Sequence, residues 1–170
     1  MKEKNIYTYG CRLNIYESEI IQKHMNQVGL KNFILFNSCS VTNEAKKKVI
    51  DDIKRVKKNN PDKLIIVTGC ASQIDAETFK NMSEVDFLIG NKEKMELSTF
   101  EEIVGKKKLE KISDIMTVKN IAPQLIDSFQ NHSRAFIQIQ NGCDHRCTFC
   151  TIPYGRGNSR SLPIPKIIEQ

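Results

Sequence analysis

Residues 64–70 read Leu64-Ile65-Ile66-Val67-Thr68-Gly69-Cys70, four apolar residues without alternation, then a turn-prone pair and a thiol. Alternate side chains of a strand point to opposite faces, so a short run with no polar alternation has no face left for water. It reads as a central strand of a covered parallel sheet. The same arrangement occurs earlier, where Phe33-Ile-Leu-Phe36 precedes Cys39, and again where the strand-like Ile6–Tyr9 precedes Cys11. Val85-Asp-Phe-Leu-Ile89 supplies a fourth run. Helical patterns lie between them. Ile20, Ile21, Met25 and Val28 recur at helical spacing behind Asn14, which can cap, and Glu17, which can reach back, with Gly29 as the stop. A second helix starts near Asn43 with Ala45, Val49, Ile53 and Val56 on one face and ends before Asn59-Asn60-Pro61. A short helix over 74–81 and another over 95–104 complete the set. Strands that alternate with helices in this way predict an α/β fold, a doubly wound parallel sheet flanked by helices, over residues 1–106.

Lys106-Lys107-Lys108 marks a solvated exit. Residues 107–131 have weak periodicity and a breaker in Pro123, and read as a linker with room for one short strand. From Arg134 to Gln140 (RAFIQIQ) alternation returns, predicting a new strand that runs into Gly142-Cys143 and opens a second unit over 132–170.

The whole chain has 170 residues, a formal net charge of +6, 39% hydrophobic and 27% charged residues. This is ample for a packed core. No stretch approaches the roughly 18 apolar residues of a membrane span, and the opening MKEKNIYTYG lacks the apolar stretch of a secretory signal. The expectation is a cytoplasmic protein with no membrane partner. Six cysteines in a reducing compartment then point to metal or redox chemistry rather than a disulfide scaffold.

Those cysteines fall in two groups. Cys11, Cys39 and Cys70 each lie just past a strand, and parallel strands all deliver their ends to one edge, where open α/β sheets bind ligands. Three small buried thiols would be the bland reading; three in register argue for a shared ligand. The second group, Cys143-Asp-His-Arg-Cys147-Thr-Phe-Cys150, packs three thiols into one loop. Three thiolates can hold three irons of an iron–sulfur cube and leave the fourth open. A zinc site is the alternative, but it normally wants four ligands, and His145 is cramped between Cys143 and Cys147.

The segments Thr8-Tyr-Gly-Cys11-Arg-Leu-Asn14, Asn37-Ser-Cys39-Ser-Val-Thr-Asn43, Thr68-Gly-Cys70-Ala-Ser-Gln73 and Asn141-Gly-Cys143 through Tyr154 resemble the methylthiotransferase family of radical S-adenosylmethionine (SAM) enzymes. The trailing Gly155-Arg-Gly-Asn-Ser-Arg-Ser161 looks most like its branch acting on threonylcarbamoyladenosine at tRNA position 37. The resemblance implies two 4Fe-4S clusters as cofactors. One would sit on Cys143, Cys147 and Cys150, bind S-adenosyl-L-methionine and release a 5′-deoxyadenosyl radical. The other would sit on Cys11, Cys39 and Cys70 and take part in sulfur delivery. Phe149 matches an aromatic beside the cluster and the adenine of SAM; as a residue alone it reads equally as a loop anchor. The implied reaction places a methylthio group on C2 of the modified adenine, with tRNA and an electron donor as partners.

Only twenty residues follow Cys150, whereas a complete eightfold barrel takes about 250. The expectation is therefore the first strand and cluster loop of a truncated radical SAM barrel, with a companion chain as one source of the rest. A lone barrel strand leaves its edges unpaired, so residues 132–170 are expected to be mobile or packed opportunistically. A non-catalytic iron–sulfur or zinc-binding remnant is the competing reading. The remaining signals are weaker. Lys46–Lys48, Lys54, Arg55, Lys57 and Lys58 give the second helix a basic face, read as solvated before RNA-binding. His24 reads as core-edge and His132 as a loop residue. Arg156 and Arg160 read as contacts for tRNA or SAM, or else as exposed.

Overall fold

The computed structural model describes residues 5–121 and 135–169. Five strands form one parallel sheet: β1 (Ile6–Thr8), β2 (Phe33–Ser38), β3 (Leu64–Gly69), β4 (Phe87–Ile89) and β5 (Leu109–Lys111), in that spatial order. The order follows the sequence, so the sheet has no point at which it reverses, yet helices cover both faces. On one side Ile34, Phe36, Ile65, Val67 and Leu88 pack against Val49, Ile53 and Val56 of α2 (Asn43–Asn59) and Phe79 of α4 (Ala76–Lys80). On the other, Leu35, Ile66, Phe87 and Ile89 meet Ile21 and Met25 of α1 (Arg12–Gln27) and Phe100 and Ile103 of α5 (Leu97–Ile103). Every residue of β2 is buried, which is why its sequence shows no polar alternation.

The helix ends have local causes. The Thr42 hydroxyl caps α2 by accepting the Ala45 amide at 3.1 Å, satisfying one of the donors a first turn leaves open. Gly29, with φ of +71°, ends α1. Asn14 does not cap α1: the helix starts two residues earlier behind Cys11, and the Asn14 side chain is buried inside it. His24 is buried at the edge of the core against Phe100. A short helix α3 (Cys70–Ile74) directly follows β3, where the sequence pattern gives no sign of it.

The sheet runs past residue 106. Leu109–Lys111 of the expected linker pairs with β4, from Phe87↔Leu109 to Ile89↔Lys111. Pro123 and His132 lie outside the described residues. The strand expected over 134–140 is reduced: Arg134 is outside the described residues, 135–139 carries no strand, and only β6 (Gln140–Asn141) forms, antiparallel to β7 (Arg160–Ser161). After β6 the chain is packed unevenly: residues 144–149 are exposed, and none of residues 164–169 is buried. Helix α6 (Ile152–Arg156) lies against α3, and α7 (Ile164–Glu169) ends the described chain. Ion pairs of Lys46 with Asp75 and of Lys57 with Asp86 tie down part of the basic face of α2, while Lys47, Lys48, Lys54 and Lys58 face solvent.

Phe36 is fully buried and stacks on Tyr7 at 4.9 Å between ring centres. Its truncation to alanine is expected to cost about 3–5 kcal/mol of unfolding free energy, measured by urea denaturation; a loss below about 1 kcal/mol would mean that this face of the sheet is not the core. Burial also holds the His24 pKa below its ordinary 6.5. Its contribution is complete above that value and falls away as pH drops through the depressed one, so His24→Gln should flatten that part of the stability–pH curve.

Candidate functional site

Three adjacent strands bring Cys11, Cys39 and Cys70 to one edge. The register pairs Thr8 with Asn37, Asn37 with Thr68 and Ser38 with Gly69, so the carboxyl ends of β1, β2 and β3 lie level. Cys39 and Cys70 are the next residues after the Ser38–Gly69 pair and leave the sheet about one strand spacing apart, roughly 4.8 Å. Cys11 is three residues beyond β1, in the exposed turn that opens α1. Burial pushes the Cys39 thiol up, the amides of Val41 and Ser40 donate to its sulfur and oppose this, and the charges of Cys70 and Cys11 raise it further.

Two glycines make this edge possible. Gly10 has φ of +86°, and a Cβ there would lie 2.4 Å from Cys39 Sγ. Gly69 has φ of +103°, and a Cβ there would lie 2.3 Å from the Ser38 carbonyl oxygen. Both positions need a residue that tolerates positive φ without a side chain. Each immediately precedes a cysteine.

Among the described residues, no three His, Cys, Asp or Glu side chains gather tightly enough to hold a single metal ion. A mononuclear site draws its ligands to within about 2.0–2.3 Å of one centre, whereas a cube assigns each thiolate its own iron and spreads them. Three thiols brought to one edge are the donor type and number that a cube with one open iron would take.

Cys143, Cys147 and Cys150 occupy a loop between β6 and α6 that is largely exposed. Its ends are fastened. The Cys143 amide donates to Gly157 O at 3.1 Å, the Ser159 amide donates to Asp144 Oδ1 at 2.8 Å, and Arg146 donates to Asn158 Oδ1. Between them the Cys150 amide donates to Cys147 O at 3.0 Å, closing a turn. Phe149 is 89% exposed, so among the described residues it does not act as a loop anchor.

The two cysteine groups meet through α6. Thr151, next to Cys150, donates from its hydroxyl to Ser40 O at 3.3 Å, next to Cys39. Gly155 lies against Cys70, where a Cβ would be 3.1 Å from that residue's Cβ, and Asn91 donates its amide to Gly155 O. Arg156 then enters the protein. Its Nε donates to Cys70 Sγ at 3.0 Å, one terminal nitrogen donates to Glu17 Oε1 and the other to Asn14 Oδ1.

Glu17 and Lys94 are fully buried, and Lys94 Nζ reaches Glu17 Oε2 at 2.6 Å and Asn37 Oδ1 at 3.2 Å. Burial alone would raise the Glu17 carboxyl, but the charges of Arg156 and Lys94 outweigh it and hold the pKa below the carboxylate range. Burial pulls the Lys94 ammonium down, with Glu17 opposing. Burial also works against the Arg156 charge, yet Glu17 and Cys70 more than compensate and its pKa is raised. One carboxylate faces two cations. A cavity of about 520 Å³ opens beside this cluster, lined by Glu17, Asn91, Gln138, Asn141, Arg156 and Arg160.

Arg156 and Arg160 are thus not exposed: both are at least nine-tenths buried, and Arg160 donates to the carbonyls of Val118 and Arg156. Sequence reading misses Glu17, Lys94 and Asn91 altogether as site residues. The only trace is Glu17, a charge on the otherwise apolar side of the first helix, where its spacing from Asn14 equally suits a cap.

Comparison with known proteins gives a consistent picture. The family described as uncharacterized protein family UPF0004 matches over residues 3–90. The chain is 54% identical over 167 residues to the threonylcarbamoyladenosine tRNA methylthiotransferase MtaB of Rickettsia prowazekii, covering 98% of this chain and 39% of that protein. It is 32% identical over 178 residues to the MtaB of Thermotoga maritima, covering 100% and 40%. It is also 32% identical over 183 residues to the tRNA-2-methylthio-N(6)-dimethylallyladenosine synthase of Dictyoglomus thermophilum, covering 100% and 41%. The chain spans about two-fifths of the length of these relatives.

Replacing Glu17 by glutamine strands two buried cations and is expected to destabilise the protein by about 3–5 kcal/mol at neutral pH. The carboxylate's stabilisation is complete above its ordinary value of 4.5 and is lost as pH falls through the depressed one. Urea denaturation across pH should therefore show the variant and the parent converging in acid. A gap that persists unchanged at low pH would assign the loss to packing instead.

Proposed function

Because the chain belongs to the UPF0004 family, we propose that it is the cluster-bearing part of a tRNA methylthiotransferase acting on N6-threonylcarbamoyladenosine at position 37. In this reading residues 1–111, which extend past 106 to include β5, are the sulfur-delivering domain, 112–131 the linker, and 132–170 the opening of the radical SAM domain, in a cytoplasmic protein. The observation that carries it is the meeting of the two cysteine-bearing segments through Thr151, which bonds Ser40, and Arg156 of α6, which bonds Cys70. The identity to the Rickettsia MtaB exceeds that to the dimethylallyladenosine enzyme of Dictyoglomus, which supports the threonylcarbamoyladenosine branch.

When bound, iron–sulfur clusters supply one-electron transfer and an iron open to a non-protein ligand, the chemistry that SAM cleavage and sulfur attachment require. The chain's own residues do the positioning. Gly10 and Gly69 let the backbone pass close enough for Cys11, Cys39 and Cys70 to share one edge. Burial of Cys39 keeps water from that side, and the Ser40 and Val41 amides orient its sulfur. On the exposed loop, Cys143, Cys147 and Cys150 are held at both ends while Phe149 faces outward, available to a planar ligand or to a further protein surface. The exposed lysines of α2 offer a surface to phosphates.

Anaerobic reconstitution with iron and sulfide, followed by metal analysis, tests the reading. Two clusters give about eight irons per chain. The expected result is that Cys70→Ala removes about four of them and that Cys147→Ala removes the other four. Zinc taken up without sulfide, or no iron at all, would overturn the proposal. Addition of SAM and dithionite then asks whether the chain alone releases 5′-deoxyadenosine, and a gel-shift with tRNA, repeated at raised salt, asks whether it binds the substrate class.

A further inference from the structure

Cys70 receives a hydrogen bond from a buried guanidinium, an unusual partner for a thiol that is only partly covered. The donor, Arg156, stands 86 residues away in sequence, on the helix that follows the second cysteine loop. It is 4% exposed, so nearly all its charge is balanced within the protein or not at all. Glu17 is the carboxylate in contact with it, and Glu17 is already committed to Lys94 at 2.6 Å. The remaining partners, Asn14 Oδ1 and Cys70 Sγ, are a neutral acceptor and a thiol. A buried cation in this position favours negative charge on the sulfur it touches. A cube with a dipositive core on three thiolates is a monoanion, and one added electron makes it a dianion.

We propose that Arg156 is a positioning residue for a cluster held by Cys11, Cys39 and Cys70: it fixes the Cys70 sulfur, favours the one-electron-reduced state there, and locks the second cysteine loop to the same edge. The inference rests on the functional reading above. The electron comes from an external low-potential one-electron donor and stays on the cluster, and no bond of Arg156 is made or broken. The same guanidinium that bonds Cys70 also bonds α1 through Glu17 and Asn14, with Gly155 packed on Cys70 and Thr151 on Ser40. Loading one cysteine group therefore bears on the placement of the other.

The test uses the full chain with Cys143, Cys147 and Cys150 replaced by alanine, so that only one cluster forms, reconstituted with iron and sulfide. Reductive titration followed by electron paramagnetic resonance gives its midpoint potential. Arg156→Gln is expected to shift the midpoint to a more negative value, while Arg156→Lys, which keeps the charge but not the fork, moves it less. In parallel, amide exchange of residues 151–157 should speed up by about tenfold or more in the glutamine variant, with α2 protection unchanged. An unaltered midpoint, or unaltered exchange over 151–157, overturns the proposal. Iron loss with α2 still protected supports it. If α2 protection also collapses in Arg156→Gln, Arg156→Lys decides: a folded lysine variant with the parent's midpoint and exchange overturns the proposal, and one that differs in both supports it. Failure of the parent chain to take up iron counts against the functional reading itself.

Discussion

Glu17 sits on the first helix with no access to water, and an ionised carboxylate in that position is tolerable only with cations beside it. Lys94 arrives from the turn after β4 and Arg156 from the helix after the second cysteine loop. Three segments far apart in sequence are thereby pinned to one point just under the carboxyl edge of the sheet. Removing Glu17 leaves two buried cations without their carboxylate, and that penalty is larger than the net worth of the intact cluster. The arrangement specifies a geometry more than it adds stability. What it specifies is where α6, and so the loop before it, meets Cys70.

The cysteine edge itself depends on backbone that only glycine supplies. Hydrophobic burial on both faces fixes β1 to β3 in level register, because slipping one residue would exchange the residues of the two cores. That register delivers Cys39 and Cys70 side by side. The closeness of the chain at Gly10 and Gly69 then decides how near the sulfurs come, since a side chain at either site would collide with Cys39 or with the Ser38 backbone. Fold and site are in this sense one construction: the covered sheet sets direction and spacing, and the glycines set approach.

Both cysteine groups, the parallel sheet and its first four strands were legible in the sequence because each is written locally. Continuous apolar runs such as Leu64–Val67 announce a covered strand, and a thiol just after each one announces a common edge. The fifth strand was legible only as room for one short strand in the linker, since Leu109-Glu-Lys111 has one apolar residue and is a strand only because β4 offers it a partner. Asn14 departs from expectation for a related reason. Its type and position suit a cap, but the helix begins earlier and a guanidinium from 142 residues away claims its oxygen.

By itself the sequence determined the order of elements, the residues of the core and the placement of six thiols in two trios, because those depend on period, on hydrophobic pattern and on spacing along the chain. Only the tertiary structure decided that Arg156 and Arg160 are buried, that Glu17, Lys94 and Arg156 form one charged cluster, and that α6 brings the second loop to the edge holding the first trio. The physical reason is that pairing of buried charges depends on proximity in space, and no local pattern encodes which distant residue will supply the opposite sign.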